Sequence, residues 1–286
     1  MRALVVGAGG QLGAELVRAA AAAGDDVRGL TRADLDVTAP EAIDAVIRDS
    51  GAEVVINAAA YTAVDRAESD AALCETVNAL APGWMAAAAA AIGARFVHVS
   101  TDYVFDGSAT SPIPEDAPTG PLGVYGQTKL AGEEAVHAAH PGAVVMRTAW
   151  VYGLDGANFV RTVLRVTRER GEMRVVDDQR GAPSWARDLA GAALQLGRRG
   201  AQGTFHVTNS GECSWFDLAA AVVELAGIDS VITPIPTDQY PTPARRPAYS
   251  VLDNRRWREL GEPPLRPWRE ALEEFMSLLL EAEARS

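Results

Sequence analysis

Tyr125 and Lys129 are four residues apart and have the side chains of an acid–base pair. This spacing places both side chains on one face of a helix, within reach of a common group. A free tyrosine has a pKa of about 10 and exchanges protons poorly at neutral pH, but a nearby ammonium stabilises its phenolate. Such a pair alone usually means two unrelated surface residues. Thr101 strengthens the interpretation of Tyr125 and Lys129 as an acid–base pair. It lies at the end of a predicted strand and can bind a substrate oxygen beside the tyrosine.

A glycine-rich loop follows the first apolar run, with Gly7, Gly10 and Gly13 spaced as G-x-x-G-x-x-G and Gln11 and Leu12 between the last two. One glycine permits a tight turn, one lets backbone N–H groups approach a pyrophosphate, and one allows a helix to pack closely on a strand. The N-terminus of the helix adds a partial positive charge. A purely structural turn is the alternative, but the position after a first strand favours a dinucleotide site.

The end of the second predicted strand carries Thr31 and Arg32, and we expect no acid at this tip. Sites for NAD usually place an acid there to hold the ribose hydroxyl, whereas a guanidinium suits a 2′-phosphate. The pattern therefore favours NADPH over NADH, which stays an alternative, as does a solvated role for Arg32. Asp36, with Val37 beside it, is placed to contact the cofactor near the adenine.

Short apolar runs alternate with helical segments through the first half of the chain. The predicted strands are Ala3–Val6, Val27–Leu30, Glu53–Asn57, Arg95–Ser100 and Ala143–Arg147. Strands that alternate with helices predict an α/β fold, a Rossmann-like doubly wound parallel sheet covered on both faces.

The second half of the chain has a different composition, with more proline. It predicts a second, smaller α/β domain for the substrate, so that residues 1–150 bind the cofactor and residues 151–286 mainly the substrate. Some later elements return to the first domain. The proline-broken segment Tyr240–Pro247 predicts a rigid extended loop, and the last 18 residues an amphipathic helix.

Bulk composition narrows the class of protein. Hydrophobic residues make up 48% of the chain, which excludes general disorder, and the net charge of -12 argues against nucleic acid and anionic membranes as partners. Cys74 and Cys213 lie far apart and predict buried, reduced thiols, which suits the cytoplasm. We expect no targeting or membrane-spanning segment.

Several ordered motifs together resemble the extended short-chain dehydrogenase/reductase superfamily and, within it, the dTDP-4-dehydrorhamnose reductases. The resemblance covers nearly the whole chain and rests on the glycine loop, Asn57–Thr62, Val64–Glu68, Ser100–Phe105, Tyr125-x-x-x-Lys129, Arg147–Tyr152, Asp178–Pro183 and Tyr240–Pro247.

The resemblance implies roles for individual residues. Tyr125 is the proton donor, Lys129 its partner and a cofactor ligand, and Thr101 with Asp102 contacts the substrate. Trp150 packs on the sugar ring, with a core aromatic as the alternative. The implied cofactor contacts are Gly10, Gln11, Leu12, Asp36, Ala60, Tyr61 and Thr62. Asn158 and the loop around Arg245 and Arg246 touch the nucleotide diphosphate, unless the two arginines are a solvated pair.

The chain also departs from some related enzymes. Some relatives hold magnesium through carboxylates near a dimer interface, but Arg187 stands where such a carboxylate is expected, so we expect no magnesium. A 4,6-dehydratase needs Thr-Asp-Glu, whereas this chain has Thr101, Asp102 and Tyr103, and a tyrosine cannot replace the carboxylate that abstracts the C5 proton.

The resemblance implies reduction of the C4 ketone of dTDP-4-dehydro-6-deoxy-L-mannose to dTDP-L-rhamnose by NADPH, and we expect a monomer or homodimer. The alternatives are a related dTDP-4-ketohexose reductase, a dihydrostreptose synthase, or a non-catalytic subunit that binds NADP and regulates another enzyme.

Overall fold

The computed structural model describes residues 1–285 of the chain, so Ser286, the last residue of the predicted C-terminal helix, lies outside the described residues. The strands are β1 (Arg2–Val6), β2 (Asp26–Leu30), β3 (Val54–Asn57), β4 (Arg95–Thr101), β5 (Val144–Thr148), β6 (Val151–Tyr152), β7 (Glu172–Val176), β8 (Arg180–Gly181), β9 (Ser184–Trp185), β10 (Gly203–His206), β11 (Cys213–Ser214) and β12 (Val231–Ile235).

The α-helices are α1 (Gln11–Ala22), α2 (Pro40–Asp49), α3 (Val64–Ala67), α4 (Ala71–Glu75), α5 (Ala81–Ala91), α6 (Val124–Ala139), α7 (Phe159–Arg170), α8 (Ala186–Arg199), α9 (Trp215–Ala226), α10 (Arg255–Glu259) and α11 (Trp268–Ala284). A π-helical turn, Thr76–Leu80, joins α4 to α5, and 3₁₀ turns occur at Asp102–Val104 and Thr237–Gln239.

The central sheet has six strands in the order β10-β5-β4-β3-β1-β2, all paired in parallel. Successive residues of β1 face opposite sides, with Val5 in one apolar cluster and Leu4 in the other. Because both faces are covered by helices, the strands read as continuous apolar runs rather than alternating ones. The predicted doubly wound parallel sheet is confirmed, and each of the five predicted strands lies within one residue of an observed strand.

The direction of strand order reverses at β1, whose neighbours are β2 on one side and β3 on the other. Ligands of open parallel sheets bind outside the carboxyl ends of the strands at such a reversal. The glycine loop leaves β1 here, and its Gly7 packs so tightly against the exit of β3 that a Cβ would lie 2.6 Å from the Ala59 nitrogen.

Elements from the second half of the chain rejoin the first. β10 pairs with β5 at the edge of the large sheet, and α8 packs against α1. The remaining strands form two-stranded sheets, β7 with β12, β8 with β11, and β6 with β9. One apolar cluster runs from Ala3 to Leu279, so the two halves share a core. Within residues 1–285, no helix is long and apolar enough to cross a bilayer.

Candidate active site

The glycine loop leaves the start of α1 open towards solvent. Gly7 has a left-handed φ of +86°, and a Cβ on Gly13 would lie 2.0 Å from the Gly7 carbonyl oxygen, so both positions need glycine for close packing. Gly10 is exposed, and α1 begins at Gln11 with neither a capping side chain nor an acid in its first turn, as far as the described residues go. Leu12 is buried, so only its backbone N–H can serve a ligand. This uncapped helix start fits the pyrophosphate of a dinucleotide.

Gln11 and Asn158 connect this loop to the second half of the chain. The Asn158 amide nitrogen donates to the Gln11 Oε1 at 3.1 Å and to the Gly153 carbonyl at 2.8 Å. Its Oδ1 accepts from the backbone nitrogen of Arg161, which caps α7. The structure therefore places Asn158 beside the cofactor loop, and its contact with the nucleotide diphosphate stays a prediction.

The tip of β2 does carry an acid, so the expectation that none occupies it is wrong. Asp34 folds back through a turn, and its Oδ2 accepts from the Thr31 backbone nitrogen at 2.9 Å and the Thr31 hydroxyl at 2.7 Å. These hydrogen bonds lower the pKa of the exposed Asp34 carboxyl. Asp34 was missed because it follows the strand by several residues. Arg32 is exposed at the same tip, which therefore presents a cation and a carboxylate together.

Asp36 and Val37 continue this loop. The Asp36 Oδ1 accepts from the backbone and hydroxyl of Thr38, and these bonds lower its pKa, with a smaller contribution from Arg32. Val37 is half-buried and packs on the apolar cluster under α2. Asp36 is exposed, and its contact with the cofactor near the adenine stays a prediction.

The exit of β3 is held by Asn78, which sequence reasoning missed. Its Oδ1 accepts from the Tyr61 backbone nitrogen at 2.8 Å, and its amide donates to the Tyr61 carbonyl at 3.1 Å. Asn78 is fully buried in the π-helical turn, a feature often found at functional sites. Its signal in the sequence is an amide inside an apolar helical run. Ala60 is half-buried and Thr62 exposed, so this segment can border a cofactor.

Tyr125 reaches the site from the first turn of α6. A Cβ on the next residue, Gly126, would lie 2.2 Å from the Tyr103 carbonyl oxygen, so only glycine lets the helix come this close to the end of β4. The Glu68 carboxylate accepts from the Val124 backbone nitrogen at 3.0 Å and caps α6. Tyr125 also packs edge-on against Tyr103, with ring centroids 5.4 Å apart.

Thr101 ends β4 and lies between an acid and a phenol. Its hydroxyl donates to the Asp102 Oδ1 at 3.0 Å and accepts from the Tyr103 backbone nitrogen at 3.2 Å. Complete burial raises the pKa of Asp102 to about 6. Burial also raises the pKa of Tyr125, and its hydrogen bond with Thr101 lowers that pKa only in part. The phenol is therefore protonated at neutral pH, as a proton donor must be.

Lys129 is buried next to β4, with its Nζ 3.2 Å from the His98 Nε2 and donating to the Val99 carbonyl at 2.7 Å. Desolvation lowers the pKa of Lys129 to about 8, against the opposing field of Glu133. None of the described hydrogen bonds joins Lys129 to Tyr125. The role of Lys129 as the partner of Tyr125 and as a cofactor ligand stays a prediction.

A cavity of about 280 Å³ is lined by Tyr103, whose ring packs on Tyr125, and by Phe159, Gln179 and Trp215 among others. Trp150 stacks on Trp215 with ring centroids 3.5 Å apart and an interplanar angle of 6°. Trp150 has a φ of +49°, a strained value for a large side chain and of the kind that clusters at functional sites. Its contact with a sugar stays a prediction, and Trp215 is a cavity aromatic that sequence reasoning missed.

The proline-broken loop contains no helix or strand, and one of its two arginines lines the cavity. Arg246 lines the cavity and makes a two-pronged ion pair with Asp65, both contacts at 2.7 Å, while the Asp65 carboxylate also accepts from the Ala244 nitrogen. Arg245 is exposed beside a small cleft that leads to Tyr125. Its contact with substrate stays a prediction, and Arg246 is better placed.

Arg187, at the position where metal-binding relatives are expected to have a carboxylate, lies in the first turn of α8. The Arg187 guanidinium pairs with Glu274 at 3.0 Å and lies over the Trp185 ring. In the described part of the chain, no group of three or more acidic, histidine or cysteine side chains could hold a metal ion.

Comparison with known proteins identifies a family model and relatives that match nearly the whole chain. The family model described as RmlD substrate binding domain matches residues 1–280. A dTDP-4-dehydrorhamnose reductase of Mycobacterium tuberculosis is 47% identical over 95% of this chain and 91% of its own. A probable dTDP-4,6-dihydroxy-2-methyloxan-3-one 4-ketoreductase of Streptomyces antibioticus is 46% identical over 99% of this chain and 97% of its own.

A solved structure carries the same fold with a cofactor. The dTDP-4-dehydrorhamnose reductase of Bacillus anthracis, in complex with NADP, superposes with a TM-score of 0.93 and 35% identity over 96% of this chain and 98% of that one. The resemblance read from the motifs is confirmed. The chain belongs to the RmlD substrate binding domain family, that of the dTDP-4-dehydrorhamnose reductases.

Proposed function

We propose that the protein reduces the C4 ketone of dTDP-4-dehydro-6-deoxy-L-mannose (dTDP-4-dehydrorhamnose) to dTDP-L-rhamnose with NADPH. The observation that carries the proposal is the meeting of Thr101 and a protonated Tyr125 at the carboxyl end of β4. This pair lies on the same sheet edge as the open glycine loop, and Tyr125 packs on Tyr103, which lines the cavity. The names of the relatives and of the NADP complex support the same reaction.

The chemistry divides between cofactor and protein. When bound, NADPH supplies the hydride that the ketone carbon receives. Tyr125 gives its proton to the developing alkoxide, and the Thr101 hydroxyl stabilises the negative charge on that oxygen. Because the pKa of Tyr125 is raised, the phenol carries its proton at the start of each turnover. Lys129 in its ammonium form then stabilises the phenolate that remains.

The protein has distinct surfaces for the two ligands. The backbone N–H groups from Gln11 to Gly13 would hold the pyrophosphate of NADPH, and Arg32 its 2′-phosphate. The sugar nucleotide fits the cavity, where Trp215 and Phe159 offer an aromatic wall and Arg246 a cation. Most of this wall comes from beyond residue 150, which supports a cofactor region in residues 1–150 and a substrate region mainly in residues 151–286.

A related dTDP-4-ketohexose reductase is the second candidate. The Streptomyces antibioticus ketoreductase is as similar to this chain as the dTDP-4-dehydrorhamnose reductase of Mycobacterium tuberculosis is, at 46% and 47% identity. The same three side chains would serve either substrate, because both reactions protonate an oxygen at C4. A non-catalytic regulatory subunit is disfavoured by the complete set of Thr101, Tyr125 and Lys129.

Product analysis distinguishes these functions. The purified protein is supplied with NADPH and with dTDP-4-dehydrorhamnose made in situ by an epimerase, and the products are separated and identified by NMR. We expect dTDP-L-rhamnose. A different C4 epimer as the main product, or turnover only with another dTDP-4-ketosugar, would support the second candidate. Binding of NADPH without any turnover would support a regulatory subunit.

We further propose that the protein works in the cytoplasm, as a monomer or homodimer. The two cysteines support a reducing compartment, because Cys74 and Cys213 are both buried free thiols. Cell fractionation tests the location, and sedimentation of the purified protein gives its assembly state.

A further inference from the structure

His98 is a fully buried residue in the middle of β4, on the face of the sheet that α6 covers. Its two ring nitrogens contact different partners, the Asn57 amide at 3.1 Å on Nδ1 and the Lys129 amine at 3.2 Å on Nε2. The proposed reaction gives His98 no role. A buried ring between a cofactor-side amide and a catalytic lysine can nevertheless fix the state of that lysine.

The orientation of the Asn57 amide is set by the backbone. The Ala59 backbone nitrogen donates to the Asn57 Oδ1 at 3.0 Å, so the carbonyl end of the side chain points to that N–H. The Asn57 Nδ2 must then face His98 and donate to its Nδ1. The His98 Nδ1 is therefore an acceptor and carries no proton.

A neutral imidazole has one N–H group, so the proton of His98 lies on Nε2. The ring is neutral because complete burial lowers its pKa well below the usual value, and any positive charge on Lys129 or on the nearby His137 would lower it further. The Nε2–H group points at the Lys129 Nζ. An ammonium has only donors, so it cannot accept this hydrogen, whereas a neutral amine has a lone pair for it.

We propose that His98, oriented by Asn57, is a positioning residue that holds Lys129 against β4 and favours its neutral amine form. The hydrogen bonds then run in one direction, from Ala59 N–H to Asn57, to His98, to Lys129 and on to the Val99 carbonyl. Each donor in this chain has an acceptor only when the amine is neutral.

The groups around Lys129 agree with this state. Glu133, one turn along α6, would favour an ammonium, but its carboxylate is paired with Arg147 at 2.7 Å and accepts from Ser100 at 2.5 Å. Cys74 on α4 has a pKa raised by burial and stays a neutral thiol. Desolvation therefore dominates and lowers the pKa of Lys129 to about 8.

The proposed reaction needs the ammonium, because a neutral amine does not stabilise the Tyr125 phenolate. At a pH above about 8, Lys129 must then take a proton from solvent when the cofactor binds. Since the loaded form binds one more proton, NADPH should bind more weakly as pH rises above about 8, by about tenfold in Kd per pH unit. Below that pH the amine is already protonated, and the dependence should disappear.

The direct test needs neither cofactor nor substrate. Nitrogen-15 NMR of histidine-labelled protein reads which His98 nitrogen carries the proton, and carbon-13 NMR of labelled lysine follows the titration of Lys129. We expect a proton on Nε2 and a midpoint near 8. A proton on Nδ1, or a midpoint at the ordinary value of 10.5, would overturn the proposal.

Two variants separate positioning from simple packing. His98→Gln keeps an N–H donor that can reach Lys129, and we expect a midpoint close to that of wild type. His98→Leu removes the donor, so the neutral amine loses a partner and the midpoint should rise. His137→Gln, a half-buried histidine on α6, is the control and should leave the midpoint in place. Equal midpoints for the Gln and Leu variants of His98 would contradict the proposal.

Binding of NADPH provides a second readout, by quenching of tryptophan fluorescence between pH 7 and 10. A Kd that stays constant across this range would refute the proton uptake. This inference about His98 and Lys129 rests on the proposed function, but the experiments test the two independently. An inactive protein would leave the NMR result standing, and a wrong tautomer would leave the identity of the product unaffected.

Discussion

The close approach of α6 to the end of β4 predicts a strong effect of Gly126→Ala. The new Cβ would lie 2.2 Å from the Tyr103 carbonyl oxygen and 2.9 Å from the Pro121 Cβ, whereas ordinary contacts begin at 3.4 Å. The first turn of α6 must therefore move by roughly 1 Å, and Tyr125 moves with it. A displacement of this size in a reacting group costs about 100-fold in rate.

We expect Gly126→Ala to lower kcat by about 100-fold and to leave the Kd for NADPH within about threefold, because the glycine loop lies on another element. Overpacking should also cost about 1–3 kcal/mol of folding free energy, or several degrees in Tm. Steady-state kinetics, fluorescence quenching and thermal unfolding measure the three quantities.

The matched control is Gly191→Ala, in the interior of α8. A Cβ there has no atom within 4 Å, so the change should raise stability by up to about 1 kcal/mol and leave kcat unchanged. If Gly126→Ala kept near-normal kcat while folded, the close approach would not position Tyr125, and the argument from the clash would be refuted.

Three further changes test the site. Tyr125→Phe should keep fold and NADPH binding but lower kcat by at least about 100-fold, since the general acid is lost, and near-normal turnover would remove Tyr125 from the mechanism. Trp150→Ala should weaken substrate binding far more than NADPH binding, whereas equal weakening or a large loss of Tm would indicate a core aromatic that only supports Trp215. Arg32→Ala should raise the KM for NADPH about tenfold and leave the KM for NADH little changed. Added salt should reduce the preference of the wild type for NADPH over NADH, because salt screens an exposed ion pair. If the ratio of kcat/KM with NADPH to kcat/KM with NADH is the same in the wild type and in Arg32→Ala, then Arg32 is only a solvated surface charge.

The parts of the site that are local in sequence could be predicted. The glycine loop follows a strand and opens a helix, and the Tyr125–Lys129 spacing places both residues on one helix face whatever surrounds them. The inner parallel strands could be predicted because they are buried on both faces and form apolar runs, as β1, β3 and β5 do. Turns in which a polar side chain folds back on the end of a strand were not predicted. After β2, for example, the Asp34 carboxylate accepts a hydrogen bond from the Thr31 backbone nitrogen.

Contacts between distant segments could not be predicted. Asn78 holds the exit of β3, and Glu68 caps α6 across 56 residues of chain. Each of these polar side chains satisfies a backbone group that the fold, and not the neighbouring sequence, leaves without a partner. Likewise Trp215, the first residue of α9, stacks on Trp150 in a fold where α9 packs against α7 and β7.

The sequence by itself determined the type of chemistry, because the side chains that move protons and the glycines that admit a dinucleotide are fixed by identity and short spacing. The tertiary structure decided the state of those groups. Burial sets the pKa of Tyr125 and of Asp102, and the buried chain from Asn57 through His98 sets the contacts of Lys129. Desolvation and hydrogen-bond direction depend on what surrounds a group in three dimensions, and the neighbours involved come from strands and helices far apart along the chain.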